Sequence, residues 1–189
     1  GSRATVIAWL WARTVTCPNP ACGIEMPLVR SFWLSKKRDC PTWAAPVVRG
    51  GKVEFDIKTG PAGPRVESTV LRSGATCVAC ADVIPLRDVR THAQQVGLGA
   101  TLMAVVAEGD RRRVYLPASP ELREASAVAR PLDAPDQWVT TPSHDVDRLP
   151  MYGMPRWADA FTARQLVALT TFSDLVGEAR ERALADAVA

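Results

Sequence analysis

Two short cysteine pairs, each opening a matching phrase, constrain this chain more than anything else in it. The first phrase runs Thr16-Cys17-Pro18-Asn19-Pro20-Ala21-Cys22-Gly23-Ile24-Glu25-Met26-Pro27-Leu28. The second runs Thr76-Cys77-Val78-Ala79-Cys80-Ala81-Asp82-Val83-Ile84-Pro85-Leu86. Both place Thr-Cys, a tight loop, a second Cys, a small residue, two further residues, a large apolar residue and Pro-Leu in one order. Two such knuckles supply four thiolates, the donor set of a tetrahedral structural zinc site. Cys17, Cys22, Cys77 and Cys80 are therefore the expected metal ligands, with zinc as a structural cofactor and no open coordination position. The bland alternative, a set of unrelated buried cysteines, does not account for two parallel phrases. The distance from Cys22 to Cys77 is long for a zinc ribbon, so strands and a loop are expected between the knuckles.

The cysteine count is five. An odd number argues against a disulfide framework, and paired cysteines in a reducing compartment more often bind metal, so a cytoplasmic location is expected. No apolar run approaches the ~18 residues of a membrane-spanning helix. Val6 to Trp11 is too short and runs into Arg13, so no signal peptide is read there. Gly1-Ser2 has the look of a scar left by protease cleavage, which implies that the natural protein continues upstream. With 189 residues, nearly half of them hydrophobic, the chain can bury a core of its own. The net charge of +3 permits an acidic partner without demanding one.

Hydrophobic pattern and turn chemistry predict an α+β fold, an enlarged zinc ribbon of antiparallel β-hairpins with a few helices and a C-terminal amphipathic helix. Residues 4–16 are rich in β-branched and aromatic types and read as the strand entering the first knuckle. Leu28–Ser35 reads as its return strand. Val47-Val48, Gly50-Gly51 and Val53–Ile57 read as a hairpin with a glycine turn. Gly60–Pro64 reads as a mobile connection, and Val66–Leu71 as the strand delivering the chain to the second knuckle. Leu86–Val96 has helical spacing and stops at Gly97. Thr101–Ala107 and Arg113–Leu116 form a second hairpin around Gly109-Asp110. Ser119-Pro120-Glu121 is a helix start, with that helix ending before Pro131. Residues 130–160, punctuated by prolines, keep no hydrophobic period and read as linker or extended surface chain. Thr162 and Gln165 make a capping box for the last helix, and Glu178 and Arg182 can pair along it. The expected organisation is a zinc-ribbon domain over 1–118, a short helix and linker over 119–160, and the amphipathic helix over 161–189.

Other candidate residues carry weaker chemistry. Lys36, Lys37 and Arg38, and Arg111, Arg112 and Arg113, can contact phosphates, with Trp33 beside the first run able to stack on a base. The alternative is that both runs are charged hairpin tips. Cys40 has no partner nearby and reads as a free thiol, with a replacement metal ligand as the alternative. His92 and His144 lie in no Cys/His spacing, so packing or solvent-facing roles are expected. Catalytic machinery is missing: there is no phosphate-binding glycine loop and no nucleophile elbow. Asn19-Pro20-Ala21-Cys22 lacks the second proline and the aromatic ring of an amino-methyltransferase tetrad.

Leu10 to Gly23, continuing through Pro27-Leu28-Val29-Arg30-Ser31-Phe32-Trp33-Leu34-Ser35-Lys36-Lys37, resembles the zinc-ribbon segment of large bacterial adenine-specific DNA methylases, some of them linked to anti-phage systems. The phrase Tyr152-Gly153-Met154, Trp157 and Phe161 to Leu175 is similar to the same family. The resemblance implies a parent enzyme that moves a methyl group from S-adenosylmethionine to the exocyclic amine of adenine in DNA. Its catalytic tetrad and cofactor loop would lie outside this chain, so S-adenosylmethionine is expected only in the parent. DNA and the remainder of the methylase are the implied partners. Two departures stand out: Ala81 replaces a usual glycine, and Asp39-Cys40-Pro41-Thr42 replaces a basic continuation. A protein-interaction module without nucleic-acid contact is the competing expectation.

Overall fold

The structure is a computed structural model that describes residues 4–109, 112–139 and 148–188. In chain order the elements are β1 (Thr5–Thr16), β2 (Glu25–Leu28), β3 (Trp33–Ser35), β4 (Thr42–Arg49), β5 (Lys52–Thr59), β6 (Val70–Leu71), β7 (Gly74–Thr76), β8 (Val83–Pro85), α1 (Leu86–Val96), β9 (Gly99–Gly109), β10 (Arg112–Leu116), α2 (Pro120–Ser126) and α3 (Ala163–Val188). Two short 3-10 helices, Leu149–Tyr152 and Trp157–Ala160, precede α3. The architecture is α+β with antiparallel sheets, as expected. It divides into two compact units, Gly1–Arg123 and Glu124–Ala189. No helix among the described residues is long and apolar enough to cross a membrane.

The first unit holds three small sheets, with strand orders β10-β9-β1-β2, β3-β4-β5 and β6-β7-β8. Every pairing is antiparallel. β9 carries a continuous apolar run from Leu102 to Ala107, all of it buried, the signature of a strand covered on both faces rather than one. Its pairing with β1 is interrupted twice, between Val6 and Ala8 and between Leu10 and Trp11. The first interruption leaves Ile7 unpaired and 47% exposed. Gly50 and Gly51 both take positive φ (53° and 73°), the conformation of a two-residue turn whose twist matches the strands it joins. Pro46 lies in β4 beyond the reach of β3, which pairs only with Thr42 and Trp43. That stretch of β4 is an edge on the β3 side, where a missing N–H costs no ladder bond.

The main core is a single cluster in this unit. Met26 and Phe32 are fully buried, with Val15, Ala44, Phe55, Ala75 and Ile84 packed into the same mass. Phe32 and Phe55 meet at 6.2 Å between ring centroids. Burial of side chains of this size contributes about 1.5–3 kcal/mol each.

Two expected strands are corrected. The return strand of the first knuckle is Glu25–Leu28, not Leu28–Ser35. After Val29 the chain leaves the first sheet, buries Phe32 and begins a second sheet at Trp33. Val66–Leu71 contracts to the two residues of β6, with Val66 40% exposed. The residues before it bond instead to the 29–32 segment: Phe32 N–H to Glu67 O at 3.2 Å and Thr69 N–H to Val29 O at 2.8 Å. Thr69 is wholly buried there. Its hydroxyl accepts from Val29 N–H (2.7 Å) and donates to Pro27 O (2.6 Å). The helix expected after Ser119 is also shorter than anticipated, ending at Ser126.

In the second unit, Trp138 and Arg156 form an isolated antiparallel bridge, with the Arg156 guanidinium 5.2 Å from the centre of the Trp138 ring. His144 lies outside the described residues. The capping box of α3 forms as expected: Gln165 Oε1 accepts from Thr162 N–H at 2.8 Å, and Thr162 Oγ1 accepts from Gln165 N–H at 3.3 Å. Glu178 and Arg182 pair at 3.7 Å. Leu166 is fully buried, whereas Phe172 and Val176 are about two-thirds exposed (68% and 69%).

Thr69→Val keeps the volume but orphans a buried amide and a buried carbonyl. The expected loss is about 2–4 kcal/mol, read from the urea midpoint at unchanged m-value. Thr69→Ser, which keeps the hydroxyl, restores most of it.

Candidate metal centre

Each knuckle is the turn of a hairpin, which is why the two phrases match. β1 runs into Cys17 and Cys22 and returns as β2; β7 runs into Cys77 and Cys80 and returns as β8. The first turn is closed by Cys17 N–H to Ile24 O (2.8 Å), with Cys22 and Gly23 N–H both donating to Asn19 O (2.9 Å each). Asn19 Oδ1 accepts from Ala21 N–H at 2.9 Å, an Asx turn that fixes the loop between the ligands. The second is closed by Cys77 N–H to Asp82 O (2.9 Å) and Ala81 N–H to Cys77 O (3.0 Å). A side-chain bond crosses between the knuckles, Asn19 Nδ2 to Asp82 Oδ2 at 2.5 Å.

These hairpin tips bring Cys17, Cys22, Cys77 and Cys80 together, with all four sulfurs within 4.8 Å of one another. The close pairs run across the knuckles: Cys17 to Cys80 at 3.7 Å and Cys22 to Cys77 at 3.9 Å. Four sulfurs around one ion at the ~2.3 Å of a zinc–thiolate bond stand about 3.8 Å apart. A disulfide needs about 2.05 Å, and all five cysteines are free thiols. The cluster thus has the donors and the spacing to hold one metal ion. Cys17 and Cys77 are buried in the core cluster, while Cys22 and Cys80 are half-buried.

The thiols differ in their readiness to ionise. Burial is the main influence on Cys17 and pushes it up to about 12, against a hydrogen bond from the Asn19 backbone. Burial also opposes ionisation of Cys77. There the amides of Cys80 and Ala79, with the Cys80 and Cys17 thiols, outweigh it and set the net shift downward. A cation held by the cluster would remove the penalty that Cys17 carries, because it would stabilise the thiolate.

The two knuckles also share a backbone feature. The residue after the second cysteine has positive φ in both, 56° at Gly23 and 63° at Ala81. Ala81 is the non-glycine residue in that conformation among those described. The departure from glycine visible in the sequence is therefore a position of backbone strain.

The remaining predicted residues fall elsewhere. His92 Nε2 accepts from Thr16 N–H at 3.4 Å and joins α1 to the end of β1, a packing role. Trp33 meets Trp43 edge-on, with centroids 5.6 Å apart, and Lys36 Nζ lies 5.9 Å from its ring. Gly63 packs so closely on that ring that a Cβ there would sit 2.7 Å from it. Lys36, Lys37 and Arg38 are exposed in the β3–β4 connection, and Arg112 and Arg113 are exposed on β10. Arg111 lies outside the described residues. The sequence places the two basic runs far apart, yet Lys37, Arg112 and Arg113 line a single cleft, together with Cys40 and Tyr115. No local spacing signals that meeting, because it depends on how two hairpins pack.

Against known proteins, the chain matches no family model, no curated protein and no solved structure.

Two outcomes follow from this geometry. Ala81→Gly removes a left-handed penalty of roughly 1–2 kcal/mol and adds back part of it as chain entropy. A net gain of about 0.5–1 kcal/mol is expected in thermal or urea unfolding, while Ala81→Val loses stability. Metal uptake must also displace thiol protons, Cys17's among them. Affinity measured by competition with a chromophoric chelator should therefore fall steeply from about pH 8 to about pH 6.

Proposed function

We propose that the four-cysteine cluster holds one structural zinc ion and that the first unit is an enlarged zinc ribbon. The observation that carries this is the set of four sulfurs at near-tetrahedral spacing on two equivalent hairpin tips. Four protein thiolates complete the coordination sphere of zinc and leave no position for substrate, so the metal holds the fold rather than performing chemistry. Reduced thiolates of this kind suit a reducing compartment such as the cytoplasm.

We further propose that this domain is a non-catalytic recognition or scaffolding part of an adenine-specific DNA methyltransferase. The reading is supported by the sequence likeness at Leu10–Lys37 and Tyr152–Leu175. It is also supported by the exposed cations of the β3–β4 connection and β10. S-adenosylmethionine and the methyl-transfer machinery belong to the parent enzyme. The second reading, a protein-docking module, draws on the exposed Phe172 and Val176 of α3.

Purified protein is expected to carry one zinc per chain by elemental analysis. Cobalt substitution should give the absorption of a tetrahedral thiolate site. Cys77→Ser should abolish metal retention and the cooperative unfolding transition, since such sites supply ~10–16 kcal/mol of apparent binding energy coupled to folding. A red, iron-loaded protein would contradict the zinc identity. Zinc without salt-sensitive DNA affinity would remove the recognition role and leave the scaffold.

A further inference from the structure

The β3–β4 connection and the paired ends of β9 and β10 form the walls of a cleft of about 700 Å³. That volume lies within the range of built ligand sites, ~300–1,000 Å³. Tyr115 on β10 ties the walls together: its hydroxyl donates to Leu34 O on β3 at 3.0 Å, across 81 residues of sequence. Lys37, Arg112 and Arg113 line the space. None of the three has an ion-pair or hydrogen-bond partner for its charged group among the described residues. Elsewhere in this unit basic side chains do find carboxylates, as Arg49 finds Glu54 and Asp56. Hydroxyl chemistry is present as well. Ser35 Oγ accepts from Lys37 N–H at 3.3 Å, which leaves its own proton to donate outward.

We propose that this cleft binds the phosphodiester backbone of DNA. The proposal rests on the DNA-recognition reading above and assigns it a location. Three unpaired cations and a free hydroxyl donor suit an extended polyanion whose successive phosphates are read without regard to base. Two carboxylates, Asp39 and Glu108, also line the cleft and oppose that anion. They limit affinity, so the site is a positioning contact rather than a tight trap. Trp33 is committed to Trp43 and Gly63, so backbone contact, not base stacking, is the mode the geometry offers.

The test measures anisotropy of a fluorescein-labelled duplex and of its single strand across a salt series, using the whole chain with zinc bound. Lys37→Gln, Arg112→Gln and Arg113→Gln should each make the negative slope of log K against log salt shallower by about 0.9 on duplex or 0.7 on single strand. The loss should be equal for unrelated sequences. Arg72→Gln removes the same charge from the exposed β6–β7 turn, outside the cleft, and should leave the slope unchanged. Asp39→Asn and Glu108→Gln should tighten binding. If wild-type protein binds DNA and the cleft variants behave like Arg72→Gln, the cleft assignment is overturned while DNA recognition stands. A wild-type protein with no salt-sensitive affinity for either DNA overturns both. In that case, pyrophosphate shifting the amide resonances of Lys37, Arg112 and Arg113 would identify a small-anion site instead.

Discussion

The meeting of four cysteine sulfurs sets the geometry of the first unit, because it forces two hairpin tips from distant parts of the chain to one point. Cys22 and Cys77 are 55 positions apart and their sulfurs 3.9 Å apart. Unmetallated, such a cluster is costly. Burial holds Cys17 in its neutral form, and ionising its neighbours would place like charges within 4 Å. One divalent cation at the cluster would reverse both effects, turning repulsion into shared attraction. Cys17 and Cys77 also belong to the main core beside Ile24, Ala75 and Ile84. The candidate metal ligands and the apolar core therefore share the same strand ends, so a change at either would loosen the other.

The segment inserted between the knuckles is accommodated by a polar junction rather than by a longer ribbon. Forty residues of chain leave at Val29 and come back at Thr69, and one hydroxyl closes that excursion on the Pro27 carbonyl and Val29 amide. Burying a threonine is favourable only when both of its hydrogen-bonding capacities are met. Here they are met by backbone groups that leaving the first sheet would otherwise strand. Phe32 then joins the core cluster, its ring 6.2 Å from that of Phe55. The excursion can thus be large without moving the second knuckle away from the first.

Much of this was legible in the sequence where a local rule applied. The four cysteines, the glycine turn at Gly50-Gly51, the end of α1 at Gly97 and the capping box of α3 each rest on a pattern a few residues long. Failures came where tertiary hydrogen bonds overrode local pattern. Val66–Leu71 has strand composition, yet its backbone bonds are taken by the 29–32 segment, so only Val70 and Leu71 join a ladder. Leu28–Ser35 reads as one strand because its apolar and polar residues partly alternate. It is split because Val29 answers to Thr69 and Trp33 to Trp43. In the second unit, the spacing of Leu166, Leu169, Phe172 and Val176 on α3 announces an apolar stripe. Of the four, only Leu166 is buried within it. Periodicity identifies a face, not what covers it.

The long gap between the knuckles has a consequence beyond packing. A minimal pair of hairpins would present β10 with nothing opposite it. The inserted sheet supplies β3, whose Leu34 carbonyl receives the Tyr115 hydroxyl. The turn that follows β3 carries Lys37 to the same cleft as Arg112 and Arg113. Mutual repulsion among these cations would spread them apart on a flexible surface. Two strands tied by a tyrosine hold them together instead, and the unfavourable field persists until an anion relieves it. The four cysteines join the hairpin tips, Thr69 fixes the excursion, and Tyr115 converts that excursion into the second wall of a basic cleft.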